Sequence, residues 1–299
     1  MVPTGTRIAH ISDVHMLDTS PSGSRRKLSL RHRFLSFGRP LDSDGRRRRL
    51  LRSLAQARSA GADRVVISGD LTEVGIPEEF VSLGEALRES GFAPERITLV
   101  PGNHDLYSSA DAWKWAIRGP LSEFEASSAT EPGRIIECVG ANIMPMDATI
   151  HQPVMRSAGF LSDEALDVMD RRASDPGLAN KPLIIVQHHP PFLLGTCAWQ
   201  WIDGLTGSRR LMAMMRAYRH LVVMHGHLHT LVTRAVGDDV PRILGATAVV
   251  EDLAMSRVRI FDCRDGQVRC VTSSNESASE PTWSSVGLAS FGSVGISES

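Results

Sequence analysis

Three short apolar runs near the start of the chain each stop at a small or acidic residue: 7–12 before Asp13, 64–68 before Gly69-Asp70, and 97–100 before Pro101-Gly102-Asn103. Runs this short and this rich in Val and Ile read as strands covered on both faces, the kind found in parallel sheets flanked by helices. Helical patterns separate them. Leu50, Leu51, Leu54 and Ala55 share one face with Arg52 and Arg58 outward, and Phe80, Leu83 and Leu87 follow the acidic start Pro77-Glu78-Glu79. The first hundred residues therefore predict βαβαβ.

The alternation continues. A helix is expected over 110–117, a strand pair over 134–139 and 142–146, and a helix from Ser162, whose hydroxyl suits the capping position. A buried strand follows at 182–187, then a helix over 209–218 and a strand over 221–224. Shorter strands are expected near 231–236, 241–244, 258–263 and 268–271.

In a parallel α/β sheet, functional groups gather beyond the carboxyl ends of the strands. Five polar clusters stand at such ends: Asp13-Val14-His15, Gly69-Asp70, Gly102-Asn103-His104-Asp105, His188-His189-Pro190 and Gly226-His227-Leu228-His229. They offer carboxylate, amide and imidazole donors without a thiolate. That mixture suits Mn, Fe or Zn, whereas an all-oxygen set would favour Mg or Ca. Taken singly, Asp13 or Asp70 could cap a following helix, and His188 could be an ordinary half-buried imidazole.

The order Asp-x-His, Gly-Asp, Gly-Asn-His-Asp, His, Gly-His-x-His resembles that of the calcineurin-like metallophosphoesterase superfamily, over roughly residues 7–263. The resemblance implies a four-layer α-β-β-α sandwich, two mixed β-sheets flanked by helices. It implies two divalent ions, Mn or Fe with Zn as a further candidate. Asp13, His15, Asp70 and His229 would hold one ion; Asp70, Asn103, His188 and His227 would hold the other. Asp70 would bridge, since a carboxylate carries enough lone pairs to serve two cations about 3.5–4 Å apart. A hydroxide shared by the ions would be the nucleophile.

His104 is implied to contact the phosphate or the leaving oxygen, together with Asn103, and is the candidate general acid. A carboxylate should fix its tautomer. Related phosphatases place an Asp three residues beyond the bridging ligand, and that position here is Glu73, with Asp105 as the rival. After His188-His189-Pro190-Pro191, the stretch 192–208 corresponds to a loop bordering the substrate, so Trp199 and Asp203 are candidate substrate contacts; packing under a cap is the competing role for Trp199 and Trp201. His189 and His225 match no ligand position.

Thirty-three basic against 34 acidic residues leave a net charge of -1, which argues against a surface built throughout for nucleic acid. Eleven of those 33 nevertheless lie between Arg25 and Arg52. We expect this basic insertion, 18–49, to be mainly a solvated loop and helix start, with attraction of anionic substrates as the alternative. Cys138, Cys197, Cys263 and Cys270 are scattered and suggest buried free thiols. No apolar run approaches the roughly 20 residues a membrane helix requires. Arg7 and His10 interrupt what could be a secretory leader, so a cytoplasmic protein is expected.

The chain thus divides into a catalytic domain, 1–272, and a Ser/Gly-rich tail, 273–299. The expected activity is that of a phosphodiesterase acting on cyclic nucleotides or other small phosphodiesters. A phosphomonoesterase shares the metals but usually carries Asp-Arg-Gly after the bridging Asp, where this chain has Leu71-Thr72-Glu73. A nuclease or a non-catalytic scaffold ranks lower. The expected partner is a small phosphorylated molecule, nucleotides included; neither membrane nor nucleic acid is expected, and a homo-oligomer is compatible with the sequence.

Overall fold

A computed structural model describes residues 5–18, 36, 39, 41–251 and 258–271. Among the described residues, thirteen strands build two large sheets and one small pair. The first sheet uses β1 (Thr6–Ile11), β2 (Arg64–Ser68), β3 (Ile97–Val100), β12 (Arg259–Arg264) and β13 (Gln267–Cys270), in the order β13-β12-β1-β2-β3. The second uses β4 (Ile136–Cys138), β5 (Ala141–Pro145), β7 (Leu183–Val186), β9 (Leu221–His225), β10 (Val232–Ala235) and β11 (Pro241–Gly245), in the order β10-β11-β9-β7-β5-β4. Both are mixed: β1, β2 and β3 run parallel, as do β5, β7, β9 and β11, while the outer strands β12, β13, β4 and β10 are antiparallel to their neighbours.

Three apolar clusters show how the sheets are layered. Successive side chains of a strand point to opposite faces. Ile8, Val66 and Val100 of the first sheet meet Ile143, Ile184, Val186, Val222 and Met224 of the second in one cluster. The alternate residues, Ala9, Ile11, Val65, Ile67 and Leu99, pack outward against α1 (Ser43–Ser59), α2 (Pro77–Glu89) and α3 (Ala112–Arg118). On the far side Leu183, Ile185, Leu221 and Val223 meet α4 (Asp163–Ala173) and α6 (Ser208–Ala217). The result is helix, sheet, sheet, helix, the four-layer sandwich expected.

The helices begin where capping chemistry allows. Asp42 accepts from Gly45 N at 2.9 Å to start α1, Pro77 opens α2, and Ser162 accepts from Ala165 N at 3.1 Å to start α4.

Two expectations need correction. The basic run is solvated only in part: Arg48 and Arg52 are exposed and Arg47 is half-buried, but Arg46 and Arg49 join Leu50, Ser53, Leu54 and Ala57 in the buried stripe of α1, and Arg46 is fully buried. Four-residue spacing puts Arg46 on the face of Leu50 and Leu54. The stretch 192–208 is also more than a loop. It contains α5 (Cys197–Asp203) and β8 (Leu205–Thr206), which pairs in parallel with β6 (Gly159–Phe160). Residues 19–35, most of the basic insertion, and the tail 273–299 lie outside the described residues. Among the described residues no helix is long and apolar enough to cross a membrane.

Candidate metal centre

All five polar clusters emerge at one edge of the sandwich. β1 ends two residues before Asp13, β2 two before Asp70, β3 three before Asn103, β7 two before His188 and β9 two before His227. The backbone there bends tightly. Of the six non-glycine residues with positive φ among those described, five are Asp13, His15, Asp70, His227 and His229, with φ from 47° to 70°. Such left-handed conformations cost about 1–3 kcal/mol each and persist where the fold overdetermines them.

The motif glycines follow from close approach. A Cβ on Gly69 would strike the His188 ring, and one on Gly226 would strike Ser12 and Asp13.

Donor atoms converge within 4.8 Å of one another in three groups: Asp13, His15 and His229; His15, Asp70 and His104; and Asp13, Asp70 and His188. Asp70 lies at the centre, its Oδ2 3.4 Å from His188 Nε2, 3.7 Å from His15 Nε2 and 3.9 Å from His104 Nε2. Its other oxygen accepts from His104 N at 2.9 Å. His227 joins from the side. Its ring is 5.1 Å from that of His188, and its backbone N–H donates to Asp13 Oδ2 at 3.2 Å.

His104, His188, His227 and His229 each have one nitrogen hydrogen-bonded from behind, whereas the Nδ1 of His15 only faces a carboxylate. His188 Nδ1 donates to the Ser68 carbonyl at 2.8 Å, which leaves Nε2 for the centre. His229 Nδ1 meets Glu251 Oε1 at 2.6 Å while its Nε2 is 3.2 Å from Asp13 Oδ1. His15 Nδ1 is 3.4 Å from Glu73 Oε2. His227 Nε2 is held by Asp203, so Nδ1 is its available donor atom. An oxygen behind the ring fixes tautomer and orientation and is the usual companion of a metal-binding histidine.

The same residues pass a second test of fit. The buried atoms Asp13 Oδ1, Asn103 Oδ1 and His188 Nε2 make no hydrogen bond among the described residues. Buried polar atoms are nearly always partnered, so unpartnered donor atoms on Asp13 and His188 beside Asp70, with a third on Asn103 in the neighbouring motif, suit a cation. Tyr107 explains the amide: Asn103 Nδ2 donates to its hydroxyl at 3.0 Å, which turns Oδ1 away from it.

Burial and the charges within the cluster together shift Asp13, Asp70, His15, His104, His188 and His229. Burial favours the neutral acids, but His229 and His188 outweigh it and hold Asp13 well below the carboxylate range; His188, His104 and His15 do the same for Asp70. Burial alone would lower His188 and His229, yet Asp70 and Asp13 raise the first to about 9, and Asp13 and Glu251 raise the second to about 10. His15 goes the other way, to about 3, through burial and the charge of Arg39. Burial also lowers His104, opposed by Asp70.

The carboxylate expected behind His104 is placed elsewhere. His104 Nδ1 donates to the backbone carbonyl of Glu73 at 2.7 Å. The Glu73 side chain, fully buried, faces His15 and the guanidiniums of Arg46 and Arg39, the latter at 2.9 Å. Asp105, the rival, accepts from the backbone N–H groups of Leu71, Thr72 and Gly102 at 2.8–3.1 Å and pins the β2 and β3 loops together. Trp199 and Trp201 stand on α5 with 42% and 64% exposure, and Arg156 covers Trp201 at 4.8 Å. Of the candidates in that segment, Asp203 is the one hydrogen-bonded to the cluster.

Sequence reasoning missed Tyr107, Glu251 and Arg46 as parts of this site. Tyr107 had a readable signal, its four-residue spacing from Asn103; Glu251 lies outside every motif. His225 and His189 are buried beside the cluster, with His225 lowered to about 4 by burial.

Comparison with known proteins agrees with this geometry. The family described as calcineurin-like phosphoesterase matches residues 6–231. A glycerophosphodiester phosphodiesterase of Enterobacter lignolyticus is 27% identical over 75% of this chain and 71% of its own length. A probable cyclic nucleotide phosphodiesterase of Synechococcus is 27% identical over 56% of this chain and 58% of its own. One of Rhodopseudomonas palustris is 26% identical over 55% and 56%. Among solved structures, a dimetal phosphatase from Danio rerio superposes with a TM-score of 0.61 at 13% identity, covering 88% of this chain and 94% of that one.

Proposed function

We propose that this chain, which belongs to the calcineurin-like phosphoesterase family, is a two-metal phosphodiesterase for small phosphodiesters, cyclic nucleotides or glycerophosphodiesters among them. The observation that carries the proposal is the convergence on Asp70 of the His15, His104 and His188 rings, the last two with their rear nitrogens engaged by backbone carbonyls. Asp13, His15, Asp70 and His229 would hold one ion, and Asp70, Asn103, His188 and His227 the other. The nitrogen and oxygen donors favour Mn or Fe, with Zn also fitting. Once bound, such ions supply Lewis-acid charge to the phosphoryl oxygens and make a water acidic enough to attack.

The protein's own groups set the geometry for that attack. His104 has its Nδ1 proton fixed on the Glu73 carbonyl, so Nε2 is the atom that faces the centre. With the Nδ1 proton held there, Nε2 would give a proton to a leaving oxygen only from the doubly protonated ring, which burial disfavours and Asp70 favours. Asn103, held by Tyr107, keeps its amide oxygen directed away from solvent beside it. The names of the similar curated proteins support diesters over monoesters. So does the absence of Asp-Arg-Gly after Asp70, where Leu71-Thr72-Glu73 stands.

Turnover of bis-p-nitrophenyl phosphate and p-nitrophenyl phosphate with Mn present tests the proposal. We expect the diester to have the higher kcat/KM; a preference for the monoester would refute the diesterase assignment and favour a phosphatase.

A further inference from the structure

His227 is held differently from the other imidazoles. Its Nε2 lies 3.0 Å from the carbonyl oxygen of Asp203 and 3.1 Å from Oδ1 of the same residue. One N–H shared between two oxygens of one residue fixes both the tautomer and the plane of the ring. Asp203 is fixed in turn, since its Oδ1 also accepts from the Ser157 hydroxyl. On either side of it, Ser157 N donates to Ile202 O at 2.9 Å and Gly159 N to Gly204 O at 3.0 Å. These bonds lead into the β6–β8 pair.

The circuit then closes. The Ser157 carbonyl accepts from His189 Nε2 at 2.6 Å, and the His189 ring packs 4.4 Å from the His227 ring. His227, Asp203, Ser157 and His189 thus form a loop of contacts, two members from the segments that flank the β6–β8 pair and two from motif loops.

We infer that Asp203 is the positioning residue of His227, held by Ser157 and His189, and that it acts on ion binding rather than on the substrate. Its Oδ1 already serves both Ser157 and His227, and its carbonyl serves His227 again. This role rests on the two-metal assignment above. It also accounts for the second histidine of His188-His189-Pro190, which matches no ligand position. The His189 ring packs against the His227 ring while its proton anchors the Ser157 carbonyl before β6.

Calorimetric titration of the metal-free full chain with Mn²⁺ separates the possibilities. We expect two equivalents in the wild type. In Asp203→Ala one of the two should weaken by about 10–100-fold, the usual loss when the group behind a metal-binding histidine is removed. Asp203→Asn keeps the carbonyl and an acceptor oxygen, so it should lose less. Thermal melting of the metal-free variants guards against a packing effect, which would lower Tm without changing either ion's affinity. Unchanged binding of both ions with a raised KM would overturn the inference and make Asp203 a substrate contact. If Asp203→Ala does not fold, Ser157→Ala asks the same question: a several-fold weaker second ion supports the inference, and wild-type binding overturns it. Fewer than two equivalents in the wild type would instead overturn the two-metal assignment itself.

Discussion

In the two-metal assignment proposed above, the two sides of Asp70 are built from different materials. On one side stand Asp13, His15 and His229, with the carboxylates of Glu73 and Glu251 behind the two rings. On the other stand Asn103, His188 and His227, backed by the Tyr107 hydroxyl, the Ser68 carbonyl and Asp203. Each side would offer four donors, Asp70 included. The first brings the charge of Asp13 as well as that of Asp70; the second brings Asp70 and a neutral amide. A divalent ion should therefore bind the first side more tightly, because donor count is equal and anionic charge is not.

Asp70→Ala should break the comparison altogether. With the shared carboxylate gone, neither side keeps its donors, and we expect diesterase activity to fall at least about a thousandfold with both ions lost. Metal analysis of the purified variant checks this; retention of one tightly held ion would mean that the sides are independent.

Glu73→Ala should damage the first side and the fold together. Arg46 is fully buried and pairs with Glu73, so the variant leaves a buried cation with less compensation. Breaking such a pair costs about 3–5 kcal/mol. Chemical denaturation of the metal-free protein measures it, and a loss below about 1 kcal/mol would show that Arg46 is satisfied elsewhere. Glu251 sits behind His229 but its side chain is 46% exposed, so Glu251→Gln should weaken the same ion only a few-fold.

A pH series sharpens the contrast within each side. In the metal-free chain His188 and His229 are raised to about 9 and 10, so both carry protons at neutral pH. Their stabilising effect is complete below an unfolded value of about 6.5 and disappears as pH rises through 9 to 10. His15, lowered to about 3, is neutral throughout that window. Ion binding should consequently release protons near pH 7 and tighten as pH rises toward about 9. Calorimetry in buffers of different ionisation enthalpy counts those protons; no release would contradict the raised values. The smallest effect is expected from Trp199→Ala, a change in KM of a few-fold, since the indole is exposed and lies outside the hydrogen-bonded cluster.

Much of this was legible in the sequence because it is local. A buried strand followed within three residues by its polar cluster is contiguous text, and five such clusters place the donors at one edge of the sandwich. The partners of Glu73 were not legible. Its spacing from Asp70 pointed to His104, but the carboxylate turns toward His15 because α1 carries Arg46 inward on the stripe of Leu50 and Leu54. That stripe was readable at 50–55, while the charge at 46 concealed its continuation. Asp203 was read as a substrate contact from the loop it occupies. Its hydrogen bonds depend on β6 pairing with β8, which brings together Ser157 and Asp203, 46 positions apart, and no local pattern records that.

The most direct test of the shared centre is the number of ions bound by Asn103→Ala. It lacks one donor on the neutral side only. Two equivalents of Mn²⁺ in the wild type, and in the variant one ion held at unchanged affinity with the second lost or greatly weakened, is the predicted result. Loss of both ions together, or full retention of both, would contradict a pair of unequal sites joined through Asp70.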